Sequence, residues 1–550
     1  MRLVECVPNF SEGRDKAVIE AIASAVRAVP GVRLLDVDPG AATNRTVYTF
    51  AGPPEDVLEA AFQAIRCGTG LIDMRRHKGE HARQGACDVC PFVPISGVSM
   101  AECAALAKKL GARVGSDLGI PVYLYAEAAA RPERRRLPDI RAGEYESLEE
   151  KLEKPEWKPD FGPARFNPQA GATAVGARNF LIAYNVNLNT QSVRLAKEIA
   201  FAIRETGRAK KGPDGKTERV PGMFKGVQAT GWIIPEYGRA QVTINILDLE
   251  AAPLHKVFDA CCDLAVKLGC RVTGSEIVGM VPKGVLLGAG RHALAKQGGS
   301  RGVSEAELMR CAALTLGLSD VAPFDPAQKV IEERFRPAAP LAGMSVKAFS
   351  EEVASRSPAP GGGSVAALAG ALGAGLSSMV AALTFDKKGL EDRRGEMEEM
   401  GARAQGLMAA HLAAVDSDTA AFGKVMAAMG LPKKTPEEQA ARTKAMEEAS
   451  KEATLEPLQT LERALSTLDS AKLAADRGNP NSLSDAGVAA LMAKAAALGA
   501  YYNVLINLPG IQDAQWKKET LSKAEALLAE ARKKADAVEE SVLRRLKEPS

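Results

Sequence analysis

No charge of one sign dominates this chain. Its 550 residues carry 71 Lys and Arg against 68 Asp and Glu, a formal +3, which argues against nucleic acid as the main partner. The opening MRLVECVPNF lacks the apolar core and small-residue cleavage site of a secretory leader. No cysteine follows residue 311, and the nine up to that point, odd in number and without framework spacing, suit reduced thiols; a cytoplasmic protein is expected. Ser357 to Phe385 has no charge at all and is long enough to cross a bilayer. Yet Gly361, Gly362, Gly363, Gly370, Gly373 and Gly375, among many alanines, leave few large apolar side chains to drive insertion. A buried, tightly packed helix with no membrane partner is the expectation. Gly207 to Gly226 lacks periodicity, and its GPDGKT lacks the first glycine of a phosphate loop, since Lys210 stands where that glycine belongs. It reads as a mobile loop, with a role in attracting anionic substrate left open.

What is present is a change of pattern along the chain, which is too long for one hydrophobic core. From Arg2 to about Phe180, strands at LVECV, VRLLDVD, RTVYTFAG and PVYLYAEAA alternate with helices over Asp15–Val29, Glu55–Cys67 and onward from Met100. From Leu181 to about Phe335 the mixture repeats, with strands LIAYNVNL, VQATGWII and GRAQVTINILDL, helices over Ser192–Arg204 and Pro253–Leu268, and a run from Arg271 to Val281. RPAAPLAG, Arg336 to Gly343, reads as a linker. Beyond Met344 no strand signal survives, and helices are expected over roughly 345–357, 364–385, 391–430, 435–477, 484–508 and 513–547, with Pro457 kinking the fourth. The expected fold is multidomain: two α/β subdomains, each a mixed sheet with helices on one face (1–180 and 181–335), a linker (336–343) and an all-α helical bundle (344–550). Apolar residues spread widely around several bundle helices, so a homo-oligomer is expected.

Polar chemistry concentrates in Ile72 to Phe92, IDMRRHKGEHARQGACDVCPF, which holds two of the five histidines, three carboxylates and a Cys-x-x-Cys. Gly79 and Gly85 interrupt it, so it reads as a long loop. His77 and His81 form H-x-x-E-H, the pattern of inverted zinc peptidases, but that geometry needs an unbroken helix and Gly79 lies inside it. Cys87 and Cys90, with no second pair, are weak extra ligands. The other reading makes one imidazole a general acid/base, since it titrates near neutral pH. Two solvated loop histidines among Arg75, Arg76 and Lys78 are the plain alternative. Downstream, APGGGS (Ala359 to Ser364) runs into a helix whose first amides suit an anion, or simply mark a capped entry. Asp416 and Asp418 lie about 200° apart on a helix, so only one can face a given pocket. Asp418, set among Ala414, Ala421 and Phe422, either has a raised pKa and shuttles protons or stands on a solvated face. His411 lies on the same stripe, about 10 Å away. Asn503 and Asn507 share one helix face, there to hydrogen-bond the edge of a ligand or to satisfy the bundle interior. Asp38 ends a strand, and Asn44 and Arg45 begin the next. A carboxylate there can orient an imidazole and a guanidinium can clamp a carboxylate, or the turn satisfies itself.

DMRRHKGEH followed by GACDVCPFVP resembles the signature of glutamate formimidoyltransferases, in which the second histidine is catalytic; by position that is His81. The family's usual non-cysteine residue at position 87 implies that the Cys-x-x-Cys is accidental. SPAPGGGSVAALAGALGAGLSSMV, VDSDTAAF, GNPNSLSDAGVAA and GAYYNVLINL resemble formimidoyltetrahydrofolate cyclodeaminases and the related methenyltetrahydrofolate cyclohydrolases. Their order is that of the bifunctional formimidoyltransferase-cyclodeaminase family, over nearly the whole chain. The resemblance implies a folate enzyme of histidine degradation that moves the formimidoyl group of N-formimidoyl-L-glutamate to tetrahydrofolate and then cyclises the product with release of ammonia. It implies a polyglutamylated tetrahydrofolate co-substrate, no metal, small-molecule partners and assembly from dimers. Catalytic roles fall on His81 and Asp418, with Asp38 in support. Substrate and folate contacts are expected at Asn9 and Arg45, in PDFGPARFNPQAG at Gly162, Pro163, Phe166 and Gly171, and at Gly361, Gly362, Gly363, Ser364 and Asn503. The resemblance does not include His411. The alternatives are a related one-carbon enzyme with formyl-folate and methenyltetrahydrofolate cyclohydrolase activities, a zinc hydrolase using His77, His81 and the cysteines, and a bundle that only assembles.

Overall fold

The computed structural model describes residues 2–41, 43–79, 82–211, 217–234, 238–335 and 340–548. The chain divides into two compact units, Met1–Ala289 with Ala312–Arg336, and Gly290–Cys311 with Pro337–Ser550.

In chain order the first unit starts with β1 (Leu3–Cys6), β2 (Asn9–Phe10), α1 (Lys16–Arg27), β3 (Arg33–Gly40), β4 (Arg45–Gly52), α2 (Pro54–Leu71), β5 (Cys87–Ser96), α3 (Met100–Leu118), β6 (Val122–Ala126), α4 (Leu137–Arg141), α5 (Leu148–Glu153) and β7 (Thr173–Ala177). Asp15 caps α1 through the amides of Ala17 and Val18, and Ile19, Ile22, Ala23 and Val26 form its buried stripe. Ser99 and Glu102 close a capping box on α3. β3, β4, β1 with β2, and β5 pair antiparallel, and β5, β7 and β6 pair parallel. Helices α1 to α3 cover one face with an apolar core that includes Phe10, Tyr48, Phe50, Phe92 and Leu110. On the other face Ile140, Leu148 and Leu152 pack against Tyr123 and Tyr125. The expected loop over 72–92 ends early, because Cys87 onward is strand β5, buried from Cys87 through Val93. A strand buried on both faces shows no alternation to mark it.

β8 (Ile182–Leu188), α6 (Val193–Ile203), β9 (Arg208–Lys211), β10 (Thr217–Val220), β11 (Val227–Ile234), β12 (Arg239–Ile246), α7 (Leu254–Lys267) and β13 (Val272–Val278) follow. They form an antiparallel sheet, β11-β12-β8-β13. Gly231 lets α6 settle on β11, since a Cβ there would stand 2.4 Å from the Lys197 nitrogen. The expected loop over 207–226 is corrected in part: β9 and β10 pair as a ribbon. RAKK and TERV offer no apolar face, so backbone pairing left no period to read. Residues 212–216, with most of GPDGKT, lie outside the described residues. Four helices that the pattern did not reveal come next: α8 (Lys283–Lys296), α9 (Glu305–Leu316), α10 (Pro326–Lys329) and α11 (Ile331–Arg334).

The second unit contains α12 (Val346–Val353), α13 (Gly362–Phe385), α14 (Arg394–Met429), α15 (Pro436–Arg477), α16 (Leu483–Asn507) and α17 (Ala514–Lys547). Residues 290–311 join it through Arg301, whose Nε donates to Glu398 at 2.6 Å. Thr435 and Glu438 form a capping box on α15, which continues through Pro457. By length and composition α13 and the segment 480–510 would each reach across a bilayer, and more than half of the apolar window of α13 is buried inside the unit. Its glycines explain the missing bulk. A Cβ on Gly373 would stand 2.8 Å from the Ala489 carbonyl, and one on Gly370 would stand 2.4 Å from the His411 ring, so small residues set the helix spacing. Val365, Leu372, Met379 and Leu383 of α13 remain exposed at steps of seven, seven and four, which place them on one stripe.

Candidate active sites

The first site grows from the turn after α2. His77 is buried, and its Nε2 lies 2.8 Å from the Asn44 carbonyl while Arg83 Nε lies 3.2 Å from its Nδ1. A guanidinium can only donate, so Nδ1 accepts and Nε2 carries the hydrogen. Burial lowers the His77 pKa; the bond to Asn44 opposes this and the charge of Arg83 adds to it. With both nitrogens committed inside the protein, His77 is not placed to ligate a metal, and the H-x-x-E-H reading loses its first ligand. Cys87 and Cys90 lie in β5, with the Cys90 sulfur 3.4 Å from that of Cys6, consistent with core thiols.

The hairpin tip between β3 and β4 seats this turn. Asn44, at φ +47°, a conformation asparagine tolerates, accepts from the Gly13 amide at 3.0 Å and donates to the Lys78 carbonyl at 3.0 Å. Gly79 comes so close that a Cβ would stand 2.2 Å from the Thr43 carbonyl. Arg83 also donates to Glu144 at 2.9 Å and to Glu146 at 2.6 Å. His81, the expected proton carrier, lies outside the described residues, as does Glu80. Lys78, Gly79, Arg83, Gly143, Glu144 and Glu146 line an open cleft of about 570 Å3 at this turn.

The other expected contacts separate into two groups. Arg45 is half-buried, with its pKa lowered by burial and by Arg141, and supported by Asp88 and Asp38. Asp38 is exposed on β3 opposite Val47, two residues before the strand ends rather than at its end, and its charge acts on Arg45. Asn9 donates to the Val7 carbonyl at 2.9 Å and pairs with Val47 and Val89. Phe166 packs 5.5 Å from the Tyr145 ring, and Pro163 is exposed. Gly162 and Gly171 hold φ of +80° and +67°, and a Cβ on either would stand 2.2 Å from a carbonyl, of Ile120 and Gln84 respectively; the backbone itself requires glycine there.

Sequence reasoning missed Gln84, Asp88 and Arg141. Asp88 is buried, ion-paired with Arg141, and accepts from the Gln84 amide at 3.0 Å. Gln84 is buried with both side-chain amide atoms unpartnered among the described residues. It also missed the polar face of the second sheet, where Trp232 donates to Gln241 at 3.0 Å, Gln241 to Asn187 at 2.7 Å and Asn187 to Asp320 at 2.9 Å. The alternation of β12 was legible, but not that its non-helix face is a closed hydrogen-bond network.

The second site forms where α13 begins. Gly361 is its cap residue, and a Cβ on Gly363 would stand 2.1 Å from Asp418 Oδ1, so the carboxylate rests on the first turn at the positive end of the helix. The buried Ser364 hydroxyl lies 3.1 Å from Asp418 Oδ2 and 2.8 Å from the Val415 carbonyl. Burial raises the Asp418 pKa; the hydroxyl and amide of Ser364 partly offset this, and the negative charge of Glu456 adds to it. Asp416 points elsewhere, accepting from the amides of Leu341 at 3.0 Å and Ala342 at 3.2 Å. The opposed directions follow from the helix period. Asn503 lies beside Gly362, its amide nitrogen 3.4 Å from where a Cβ would stand, while Asn507 donates to the Ala453 carbonyl at 2.7 Å and ties α16 to α15. His411 is fully buried, with its pKa lowered to about 4 by burial and by Arg463, a core residue. Glu456, which accepts from the Ser417 hydroxyl at 2.7 Å, had no local sequence signal.

A polar cleft beside the 77–83 turn in an α/β unit, and a buried carboxylate with a raised pKa at a helix N-terminus in a bundle, are the features of an enzyme with a candidate site in each unit. Family models agree on both parts: the formiminotransferase domain, N-terminal subdomain, matches residues 3–178; the formiminotransferase domain, residues 183–336; and formiminotransferase-cyclodeaminase, residues 345–526. The formimidoyltransferase-cyclodeaminase of Gallus gallus is 47% identical over 534 residues, 96% of this chain and 97% of that one. The glutamate formimidoyltransferase of Streptococcus pyogenes is 40% identical over 53% of this chain and 93% of its own. The methenyltetrahydrofolate cyclohydrolase of Methylorubrum extorquens is 41% identical over 34% of this chain and 90% of its own. The chain belongs to the formimidoyltransferase-cyclodeaminase family.

Proposed function

We propose that this chain transfers the formimidoyl group of N-formimidoyl-L-glutamate to tetrahydrofolate in its first unit, then closes 5-formimidoyltetrahydrofolate to 5,10-methenyltetrahydrofolate with loss of ammonia in its second. The observation that carries the reading is full-length relatedness to a two-activity family, supported in the second unit by the buried Asp418, whose pKa is raised by burial. In the first step N5 attacks the amidine carbon, giving a cationic tetrahedral adduct. N5 must lose a proton and the departing glutamate nitrogen must gain one, and the imidazole of His81 serves both. Arg45, with Asp38 beside it, is suited to a substrate carboxylate. In the second step N10 attacks the same carbon; Asp418, its pKa already raised, takes the N10 proton and returns it to the nitrogen that leaves as ammonia. The folate is bound by Gly361, Gly362, Gly363, Ser364 and Asn503 there, and by Asn9 and the Gly162–Gly171 segment in the first unit.

The folate carries a polyglutamate tail that keeps it tethered between steps, and the chain acts in the cytoplasm as an oligomer of dimers. One experiment tests the core reading: supply formimidoylglutamate and tetrahydrofolate and follow methenyltetrahydrofolate by absorbance. His81→Ala should abolish glutamate release, whereas Asp418→Ala should leave it intact and abolish ammonia release. Any other division of losses overturns the assignment. The cyclohydrolase relative favours one second reading, in which the bundle opens a methenyl ring with water; conversion of supplied methenyltetrahydrofolate to formyltetrahydrofolate, with no ammonia released from 5-formimidoyltetrahydrofolate, would establish it.

A further inference from the structure

We infer from the structure that Glu456 is a second catalytic carboxylate of the cyclisation centre, holding the leaving amidine nitrogen while Asp418 moves the proton; this rests on the reading of the second unit given above. The register of α14 against α15 supports it. Lys424 pairs with Glu452, and about two turns back along α14 and one turn on along α15, Ser417 donates to Glu456 at 2.7 Å. Glu452 and Glu456, four apart, therefore both face α14. Their partners differ. Glu452 has a lysine, but among the described residues no cation pairs with Glu456, which is half-buried and held by a hydroxyl alone. Asp418, the neighbour of Ser417, likewise has no cation among the groups that shift its ionisation.

Two nearby carboxylates without a counter-charge repel one another, and partial burial strengthens the repulsion. A bound cation of the right shape removes that cost. The formimidoyl group of 5-formimidoyltetrahydrofolate is an amidinium, a planar cation whose terminal NH2 offers two donors. In the step proposed, the N10 lone pair forms the N10–C bond and the C=N pair moves to the terminal nitrogen. Asp418 takes the N10 proton and delivers it to that nitrogen, and the C–N bond breaks to release ammonia and leave the methenyl cation. Glu456 accepts from the terminal nitrogen throughout, fixing it as the leaving group. Charge and protons balance without another reactant.

The test uses the full chain. Glu456→Gln should reduce ammonia release from 5-formimidoyltetrahydrofolate by about a hundredfold, the scale of one positioned acid/base contact, with glutamate release in the same protein unchanged. It should also move the acid limb of the cyclisation pH profile to lower pH, because a negative neighbour that raises the Asp418 pKa has been removed. Gly363 and Ser364 from α13 pack against Asp418, the neutral Asn503 of α16 lies beside the neighbouring Gly362, and Asp416 on its own helix is turned to two backbone amides; among the described residues Glu456 of α15 is the one charged group that shifts the Asp418 ionisation. Ser417→Ala, which frees Glu456 without removing its charge, should slow the reaction less and leave the limb in place. Unchanged rate and profile in Glu456→Gln would overturn the inference and leave the role of Asp418 intact. Full cyclisation in Asp418→Asn would instead overturn the underlying reading. Equal loss of both activities in Glu456→Gln, with Ser417→Ala unaffected, would also overturn the inference by showing a folding role.

Discussion

At His77 a single proton decides whether the turn holds. The neutral ring donates to Asn44 and accepts from Arg83; protonation would convert the acceptor to a donor facing a guanidinium. His77→Ala should leave two buried groups unpaired and lower formimidoyl transfer by tenfold or more, roughly the effect of 1–3 kcal/mol of lost anchoring. His77→Gln, which keeps one donor and one acceptor, should recover much of it, while ammonia release from supplied 5-formimidoyltetrahydrofolate stays constant in both; steady-state assays of the two steps decide. His411 makes a prediction about stability. Its folded pKa is about 4 against 6.5 for the free side chain, so the unfolded chain takes up the proton first. The unit therefore loses stability as pH falls from about 6.5 towards 4, by roughly 3 kcal/mol in total. Melting of His411→Leu should be flatter across that range than wild type.

Among the elements, α13 positions the chemistry of the second unit because glycine sets how near its first turn can approach α14. Gly363→Ala places a methyl 2.1 Å from Asp418 Oδ1, so the carboxylate must move. Cyclisation should fall at least tenfold, a misplacement effect, while formimidoyl transfer persists; separate assays of glutamate and ammonia release check it. Helices and strands with strong apolar periods were legible: RTVYTFAG is β4 as bounded by its pattern, and VQATGWII is β11. β5, buried on both faces, and the charged β9–β10 ribbon were not, since neither displays the alternation that a half-buried strand requires.

For the whole molecule, the charge-free helix that a composition test would send into a bilayer is a bundle element with one remaining apolar stripe. Val365, Leu372, Met379 and Leu383 stay exposed there, as do Val488, Leu491 and Ile506 on α16. We propose that a second copy covers this surface. Leu372→Glu should shift the sedimenting mass towards smaller species; an unchanged mass would place the oligomer contact elsewhere.

The order of motifs, the change from mixed to helical pattern and the opposed directions of Asp416 and Asp418 were all set by the sequence alone, because each depends on spacing within one element. The meeting of His77 with Asn44 and Arg83, of Asp88 with Arg141, and of Ser417 with Glu456 was decided only by the tertiary structure. Those partners come from different elements or loops, most of them tens of residues apart, and no short-range period encodes a contact whose free energy exists only once the chain has packed.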